Sequence, residues 1–311
     1  MSPTEIMWAF FWILILLMFS ADLFLNRKSH IIGFREAAGF SLAWFTMAMI
    51  FNLAIWHMLG TDKALEFLAG YLLEQSLSVD NLFVFIMIFS VFGVRQEYQS
   101  RVLKWGIIGA IVLRFIFIFV GSALLREFQW LFYVFGVLLI YTAWKMAFTG
   151  DDEMHPENNP LIRLARRILP MTKRIQGDWF YKRRMGVLMF SPLFLVLLVV
   201  ESSDVIFALD SIPAIFAITL DPFIVLTSNI FAVMGLRSLY FLLSNLVGMF
   251  GYLKYGIAFI LAFVGVKMLL IMSGIHIPTV ISLAVILLSL ALAVIVSIIT
   301  SKKQLAAHKH G

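Results

Sequence analysis

The sequence contains no cysteine. This absence excludes a disulfide framework, a thiolate metal site and a cysteine nucleophile. Charged residues are also scarce, at 14% of the 311 residues, against about 25% in an average soluble domain. Apolar residues make up 62% of the chain, and its mean hydropathy is +0.96. Such a composition predicts a polytopic membrane protein.

Other missing features narrow the function. The pattern GxxxxGK[ST] does not occur, so the chain has no phosphate-binding loop of the kind found in ATP-driven pumps. The N-terminus has no basic segment and no small-residue cleavage site, which predicts a spanning helix rather than a cleaved signal. The net charge is +6, but the basic residues lie between apolar segments. This placement is typical of membrane topology and does not indicate nucleic-acid binding.

Nine apolar segments have the length of about 20 residues that a membrane span requires. Each is predicted to be a helix, so the expected fold is an all-α polytopic membrane protein. The segments cover residues 5–25, 37–59, 64–93, 105–125, 128–148, 186–212, 222–245, 252–272 and 277–300.

The basic residues of the connecting loops predict the orientation of the chain. Lys and Arg are concentrated in the loops after the first, third and fifth spans and in the C-terminus, with eight of them in residues 163–184. The alternate loops hold only Lys63 and Arg126. Because cytoplasmic loops carry the excess of positive charge, the N-terminus is predicted outside and the C-terminus in the cytoplasm.

Residues 149–185 form the only sizeable loop. Apolar residues recur at helical spacing among its arginines, which predicts an amphipathic basic helix on the cytoplasmic membrane face. These apolar residues are Leu161, Leu164, Ala165, Ile168 and Leu169. An acidic run at the start of the loop could bind a cation, but a charge run of this kind favours a solvated surface. The run contains Asp151, Asp152, Glu153 and His155.

A three-part pattern occurs twice, about 125 residues apart. Each copy has an acidic motif in one span, a Leu-Arg pair inside the next span and a Lys-Met pair near the end of the third. The copies comprise residues 74–81 (EQSLSVDN), 113–114 and 145–146, then residues 201–213 (ESSDVIFALDSIP), 236–237 and 267–268. Because three is an odd number, the second copy must enter the membrane from the opposite side. Two inverted three-helix repeats with a binding site near the midplane are a transporter architecture.

The repeat divides the chain into five parts. They are two accessory spans (1–63), the first repeat (64–148), the cytoplasmic loop (149–185), the second repeat (186–274), and a ninth span with a cytoplasmic tail (275–311).

The two acidic motifs place five carboxylates inside predicted spans, where each ionised group costs about 2.5–3.5 kcal/mol. They are Glu74, Asp80, Glu201, Asp204 and Asp210. Arg114 and Arg237 are predicted to be structural counter-ions, but two arginines cannot neutralise five carboxylates. The remaining deficit needs a bound cation, protons or both. The lysines of the two Lys-Met pairs, Lys145 and Lys267, lie near helix ends and are expected to extend to the membrane interface.

The chemical type of the candidate ligands narrows the choice of cation. Carboxylate, amide and hydroxyl oxygens suit Mg²⁺, Ca²⁺ and Mn²⁺. None of the six histidines lies within an acidic motif, which disfavours zinc and copper.

Helix geometry sets a condition for any site that uses both acids of one motif. At about 100° per residue, Asp204 and Asp210 point about 120° apart on a straight helix, as do Glu74 and Asp80. A single site that uses both acids of a motif therefore needs a break or kink. Pro213 predicts irregular helix beside Asp210, because its ring removes a helical hydrogen bond.

Three segments closely resemble the TerC family of bacterial integral membrane proteins, and in particular its Alx-type members. They are residues 74–85 (EQSLSVDNLFVF), 201–219 (ESSDVIFALDSIPAIFAIT) and 221–243 (DPFIVLTSNIFAVMGLRSLYFLL). The resemblance implies a multi-pass inner-membrane protein that is related to the LysE transporter superfamily and exports manganese. The family's expected metal ligands map onto Glu74, Asp80, Asn81, Glu201, Asp204 and Asp210.

The combined prediction is a secondary transporter that exports Mn²⁺ by alternating access. Proton antiport is expected, because like charges crowded together favour the protonated form. No catalytic residue and no organic cofactor are predicted, and the expected partners are the metal ion and membrane lipid. Three alternatives stay open: an oxyanion transporter that uses the two arginines, a membrane partner in metal delivery that does not transport, and an intramembrane aspartyl hydrolase.

Overall fold

The structure, a computed structural model, consists almost entirely of helices. It describes residues 2–25, 32–148, 169–172, 177, 179–184, 187–244, 253–272, 275 and 277–310. The helices in these residues are α1 (Pro3–Leu25), α2 (Phe34–Leu59), α3 (Thr61–Val91), α4 (Gln96–Glu127), α5 (Leu131–Phe148), α6 (Pro192–Phe216), α7 (Pro222–Ser244), α8 (Leu253–Met272) and α9 (Thr279–His310).

The helices confirm the prediction of a polytopic membrane protein. In the described part of the chain, eight of them are long and apolar enough to cross a membrane, and α8, with 20 residues, has a similar length. Each of the nine predicted spans overlaps one helix. Helices satisfy their own backbone hydrogen bonds, which is why apolar segments of this length fold as helices in lipid.

A short β-hairpin before α6 departs from the all-α prediction. Strands β1 (Tyr181–Arg184) and β2 (Val187–Phe190) pair antiparallel, with Tyr181 opposite Phe190. The predicted start of the sixth span at residue 186 is therefore wrong, since α6 begins at Pro192. A proline in the first turn after Ser191, whose backbone is extended, is a usual helix start. The predicted amphipathic loop helix falls largely on residues 161–168, which lie outside the described residues, as does the acidic run.

The helix is not interrupted between the acids of the second motif. Helix α6 continues from Pro192 to Phe216 and contains Pro213 within its last turn, although proline lacks the amide that would donate a helical hydrogen bond. The use of both acids in one site stays a prediction. The amide of Ala217 then donates to the Pro213 carbonyl at 3.2 Å. Helix α3 is likewise continuous through its acidic motif.

The packing of the helices follows a reciprocal scheme. Helix α3 packs against α7, α4 packs against α6, and α5 packs against α8. The first helix of each predicted repeat thus contacts the second helix of the other, which is the exchange that a two-fold relation would generate. The inverted repeat itself, with its boundaries, stays a prediction.

Helix α7 lies at the centre, with nearly all of its residues buried. The accessory helices α1 and α2 pack on it through aromatic rings, such as Phe51 and Phe231, whose centroids are 4.9 Å apart. Helices α5 and α8 cross at Gly136 and Gly265, where a Cβ on Gly265 would lie 2.8 Å from the Gly136 carbonyl oxygen. Small residues allow such close approach of helix backbones in membranes.

The lysines of the two Lys-Met pairs have different environments. Lys145 is exposed. Lys267 is buried, at 4% exposure, and its Nζ donates a hydrogen bond to Ser282 Oγ of α9 at 2.8 Å. The expectation that Lys267 extends to the membrane interface is therefore wrong, because α9 covers it and supplies a partner.

Candidate functional site

Arg114 is the fully buried centre of a polar cluster formed by four helices. Its Nη1 donates to a carboxylate oxygen of Glu74 on α3 and to Asn229 Oδ1 on α7 at 2.9 Å. Its Nη2 lies 3.8 Å from Asp204 Oδ1 on α6. We call Glu74, Arg114, Asp204 and Asn229 the central cluster. All four are at most 5% exposed.

The central cluster lies deep within its helices. Glu74 is the fourteenth of the 31 residues of α3, and Asp204 is the thirteenth of the 25 residues of α6. They occupy equivalent positions in the two acidic motifs, so each predicted repeat contributes one carboxylate. A single guanidinium of α4 lies between them. In an apolar interior such charges persist only when they are paired.

The pairing of the central cluster is incomplete. Glu74 Oε2, Asp204 Oδ2, Arg114 Nε and Nη2, and Asn229 Nδ2 have no hydrogen-bond partner among the described residues. The same holds for Ser78 Oγ, one turn after Glu74. Each buried polar group without a partner costs about 1–3 kcal/mol. A cluster with several such groups has free capacity to bind an ion or water.

Glu201 extends the acidic surface of α6 by one turn. It is half-buried and interacts electrostatically with Asp204. Its carboxylate lies against Gly109 of α4, so closely that a Cβ at Gly109 would overlap it. The absence of a side chain at Gly109 therefore makes room for Glu201.

The remaining predicted ligands lie apart from the cluster or are not described. Asp210 Oδ1 accepts a hydrogen bond from Thr142 Oγ1 of α5 at 3.0 Å. Because α6 is a regular helix, Asp210 points about 120° away from Asp204 and lies about 9 Å further along the axis. Asn81 is buried, at 5% exposure. The side chain of Asp80 lies outside the described part of the structure.

The described side chains do not form a preassembled metal site. Among them, no three Asp, Glu or His residues come close enough to hold a metal ion. In the central cluster, two carboxylates face a guanidinium instead. The set of six ligands expected from the family resemblance stays a prediction.

Asp204 also borders a small cavity that Arg237 lines from α7. The cavity volume is about 10 Å³, close to the minimum that holds one water molecule. Its other walls are mostly apolar and include Phe85, Gly106 and Val200. Asp204 thus pairs with Arg114 and lines the same cavity as Arg237.

Three residues of this region were not predicted from the sequence. Asn229 lies in a segment that carries the family resemblance, where its amide is a polar group in an otherwise apolar span; this was a usable signal. Gly109 and Thr142 had none, since glycine and threonine are common in membrane helices. Their roles depend on which helix packs beside them.

A second ionic group lies where α3 begins. Lys63 Nζ is 3.0 Å from Glu66 Oε2 and 2.9 Å from Asp221 Oδ2. Glu66 Oε2 also accepts a hydrogen bond from Thr219 Oγ1 at 2.7 Å. We call Lys63, Glu66, Thr219 and Asp221 the end cluster. It joins α3 to the turn between α6 and α7, and Asp221 caps α7 by accepting from the Phe223 amide at 3.0 Å.

Comparisons with known proteins identified a matching family model and several similar proteins. The model of the Integral membrane protein TerC family matches residues 59–305. The Alx protein of Salmonella typhi is 47% identical over 304 residues, which cover 94% of both chains. The Alx protein of Escherichia coli K12 is 48% identical over 293 residues, 91% of each chain. Both are named as candidate membrane-bound redox modulators.

A third relative is the membrane protein STKORF319 of Myxococcus xanthus. It is 46% identical over 297 residues, which cover 95% of this chain and 93% of the relative. No solved structure matched the chain significantly.

Proposed function

The chain belongs to the TerC family of integral membrane proteins, and we propose that it is a secondary transporter that exports a divalent metal cation, with Mn²⁺ as the preferred substrate. The observation that carries the proposal is the central cluster, in which carboxylates from both predicted repeats meet one guanidinium in the buried middle of the helices. Binding sites between repeats, near the midplane, are typical of transporters.

The charges around Arg114 favour a divalent cation. Glu74 and Asp204 pair with Arg114, and Glu201 interacts with Asp204. When these three carboxylates are ionised, they outnumber the positive charge of Arg114, and a bound divalent cation lowers the cost of this buried imbalance. The oxygen ligands suit hard cations such as Mn²⁺, Mg²⁺ and Ca²⁺. The choice of Mn²⁺ among them comes from the family resemblance.

Transport by alternating access completes the proposal. Some of the carboxylates take up protons when the metal leaves, so the protein exchanges protons for metal. We assign the chain to the bacterial inner membrane because of the family resemblance, and we orient it with the N-terminus outside and the C-terminus in the cytoplasm because of the distribution of Lys and Arg. Kinship with the LysE transporter superfamily fits the same architecture.

The geometry weighs against two alternatives. An oxyanion transporter needs accessible guanidinium groups, but Arg114 is 0% exposed and bound to Glu74. An aspartyl hydrolase needs two aspartates that share a proton, but Asp204 faces Arg114 whereas Asp210 bonds Thr142 on another face of α6.

A redox role, which the names of the Alx relatives suggest, would be indirect in this chain. Thiol–disulfide exchange requires cysteine, and the sequence contains none. An effect on redox balance through the metal content of the cell remains compatible with transport.

The test is Mn²⁺ flux in proteoliposomes that contain the full chain, followed with a manganese-quenched dye. Asp204→Asn is expected to lower the flux at least about tenfold, because it removes one carboxylate charge from the buried site. Lys145→Gln, which changes an exposed charge, serves as the matched control and keeps the flux. Equal flux in wild type and Asp204→Asn would contradict the proposal. The antiport component fails if an imposed pH gradient leaves the wild-type flux unchanged.

A further inference from the structure

We propose that Arg114 is a displaceable counter-ion. Its guanidinium holds Glu74 and Asp204 together while no metal is bound, and it leaves this position when a metal ion binds between the same two carboxylates. The inference rests on the proposed transport function and adds to it a residue that sets metal affinity and the return of the unloaded carrier.

The first argument is the position of the guanidinium. One terminal nitrogen contacts Glu74 and the other lies 3.8 Å from Asp204, so the group occupies the space between two carboxylates from different predicted repeats. A metal ion that bridges these carboxylates needs oxygens at about 2.0–2.6 Å. The nitrogens of Arg114 fill that space, so the guanidinium and a bridging metal exclude each other.

The second argument is how loosely Arg114 is held. A guanidinium presents five N–H donors and binds most strongly when it is bidentate to a carboxylate. Here Nη2 and Asp204 form an ion pair at 3.8 Å, which is longer than a hydrogen bond, and Nε and Nη2 have no hydrogen-bond partner among the described residues. An arginine retained only for stability would have these donors satisfied. The loose contact on the Asp204 side leaves the group displaceable.

The third argument concerns the unloaded carrier. Without a cation, two carboxylates from opposite repeats would repel each other in a low-dielectric interior. A tethered guanidinium supplies positive charge when the metal has left, so the two repeats can move past each other without carrying an uncompensated pair. Arg114 thus lowers metal affinity, because the ion must displace it. It also permits the return step, in which the carrier without metal moves back to its starting conformation.

Asn229 supplies a way to test the tether without removing a charge. Its Oδ1 accepts a hydrogen bond from Arg114 Nη1 at 2.9 Å, and it anchors the guanidinium from α7. Replacing Asn229 with leucine, which has a similar shape, keeps Glu74, Asp204 and Arg114 and loosens only the arginine.

The experiment compares binding of Mn²⁺ alone to the purified full-length chain in detergent, measured by calorimetry. Arg114→Gln is expected to bind Mn²⁺ about tenfold more tightly or better, because the ion no longer competes with a buried charge. Asn229→Leu is expected to bind it about two- to fivefold more tightly. Arg126→Gln is the matched control on the same helix, since Arg126 is exposed and its Nη2 reaches only the Leu220 carbonyl, at 3.4 Å; its affinity should equal wild type.

The outcomes separate the two proposals. Absence of Mn²⁺ binding by wild type would overturn the proposed function. Binding by wild type with equal or weaker affinity in Arg114→Gln would overturn the role of Arg114 alone. If Arg114→Gln does not fold, Asn229→Leu decides: tighter binding supports the proposal, and equal or weaker binding overturns it.

Transport provides a second readout. In proteoliposomes, Arg114→Gln is expected to retain exchange of external for internal Mn²⁺, which needs no unloaded return, and to lose net export. Equal loss of exchange and net export would contradict the role in the return step.

Discussion

The central cluster and the end cluster have the same composition in charge but opposite surroundings. In each, one basic side chain lies between two carboxylates, one from α3 and one from the second predicted repeat. In the end cluster these side chains are 19–34% exposed. In the central cluster the three are 0–5% exposed. Water can stabilise the first group, whereas only protein atoms or a bound ion can stabilise the second.

The hydrogen bonds of the carboxylates also differ between the two clusters. The end-cluster carboxylates have additional donors, because Thr219 bonds Glu66 at 2.7 Å and the Phe223 amide bonds Asp221 at 3.0 Å. The central carboxylates each retain an oxygen without a partner among the described residues. The end cluster therefore connects helices through satisfied hydrogen bonds, while the central cluster has unsatisfied oxygens, as a binding site does.

The largest expected difference lies in the cost of breaking each cluster. Glu74→Leu leaves Arg114 buried without its main partner, so the free energy of unfolding should fall by about 3–5 kcal/mol. Glu66→Leu, the matched change in the end cluster, should cost about 1 kcal/mol or less. Denaturant titration in detergent measures both. Similar losses in the two variants would mean that burial does not distinguish the clusters.

Gly109→Ala tests whether Glu201 belongs with the central cluster. The new Cβ would displace the Glu201 carboxylate, which is the end of a flexible side chain, so the unfolding free energy should change little and Mn²⁺ affinity should fall. The control is Gly39→Ala, where a Cβ meets nothing within 4 Å. If Gly109→Ala leaves affinity intact, Glu201 does not contribute to the site.

The two aspartates of α6 provide a comparison within one motif. Asp204 is part of the central cluster, whereas Asp210 bonds Thr142 on another face. Asp204→Asn should weaken Mn²⁺ binding about tenfold or more, equivalent to about 1.4 kcal/mol, and Asp210→Asn should weaken it less. Calorimetry on both variants makes the measurement. A larger effect of Asp210→Asn would place the ion nearer Thr142 than Arg114.

The smallest expected effect is in the end cluster. Lys63→Met should lower the unfolding free energy by less than about 1 kcal/mol. The difference from wild type should shrink as salt rises, because the pair is partly exposed and screened. Thermal unfolding at low and high salt measures this difference. A large effect that is independent of salt would show that Lys63 is shielded from solvent as Arg114 is.

Local rules of the sequence determined most of the helical framework. Apolar runs of spanning length must form helices, since lipid offers no partner for the backbone, and each predicted span overlaps an observed helix. The same rule misjudged the start of the sixth span, because an apolar run such as residues 187–190 fits a strand as well as a helix. Pro213 likewise predicted irregular helix, but α6 continues to Phe216.

The sequence by itself determined which charges lie within the apolar spans. It also determined that the five carboxylates of the acidic motifs outnumber the two arginines of the Leu-Arg pairs. Only the tertiary structure decided that Glu74 and Asp204 share Arg114, that Asn229 joins them and that Asp210 bonds Thr142 instead. The physical reason is one of range. Helix formation depends on hydrogen bonds four residues apart, whereas the Arg114 contacts join residues 40 and 115 positions apart, and only helix packing brings those together.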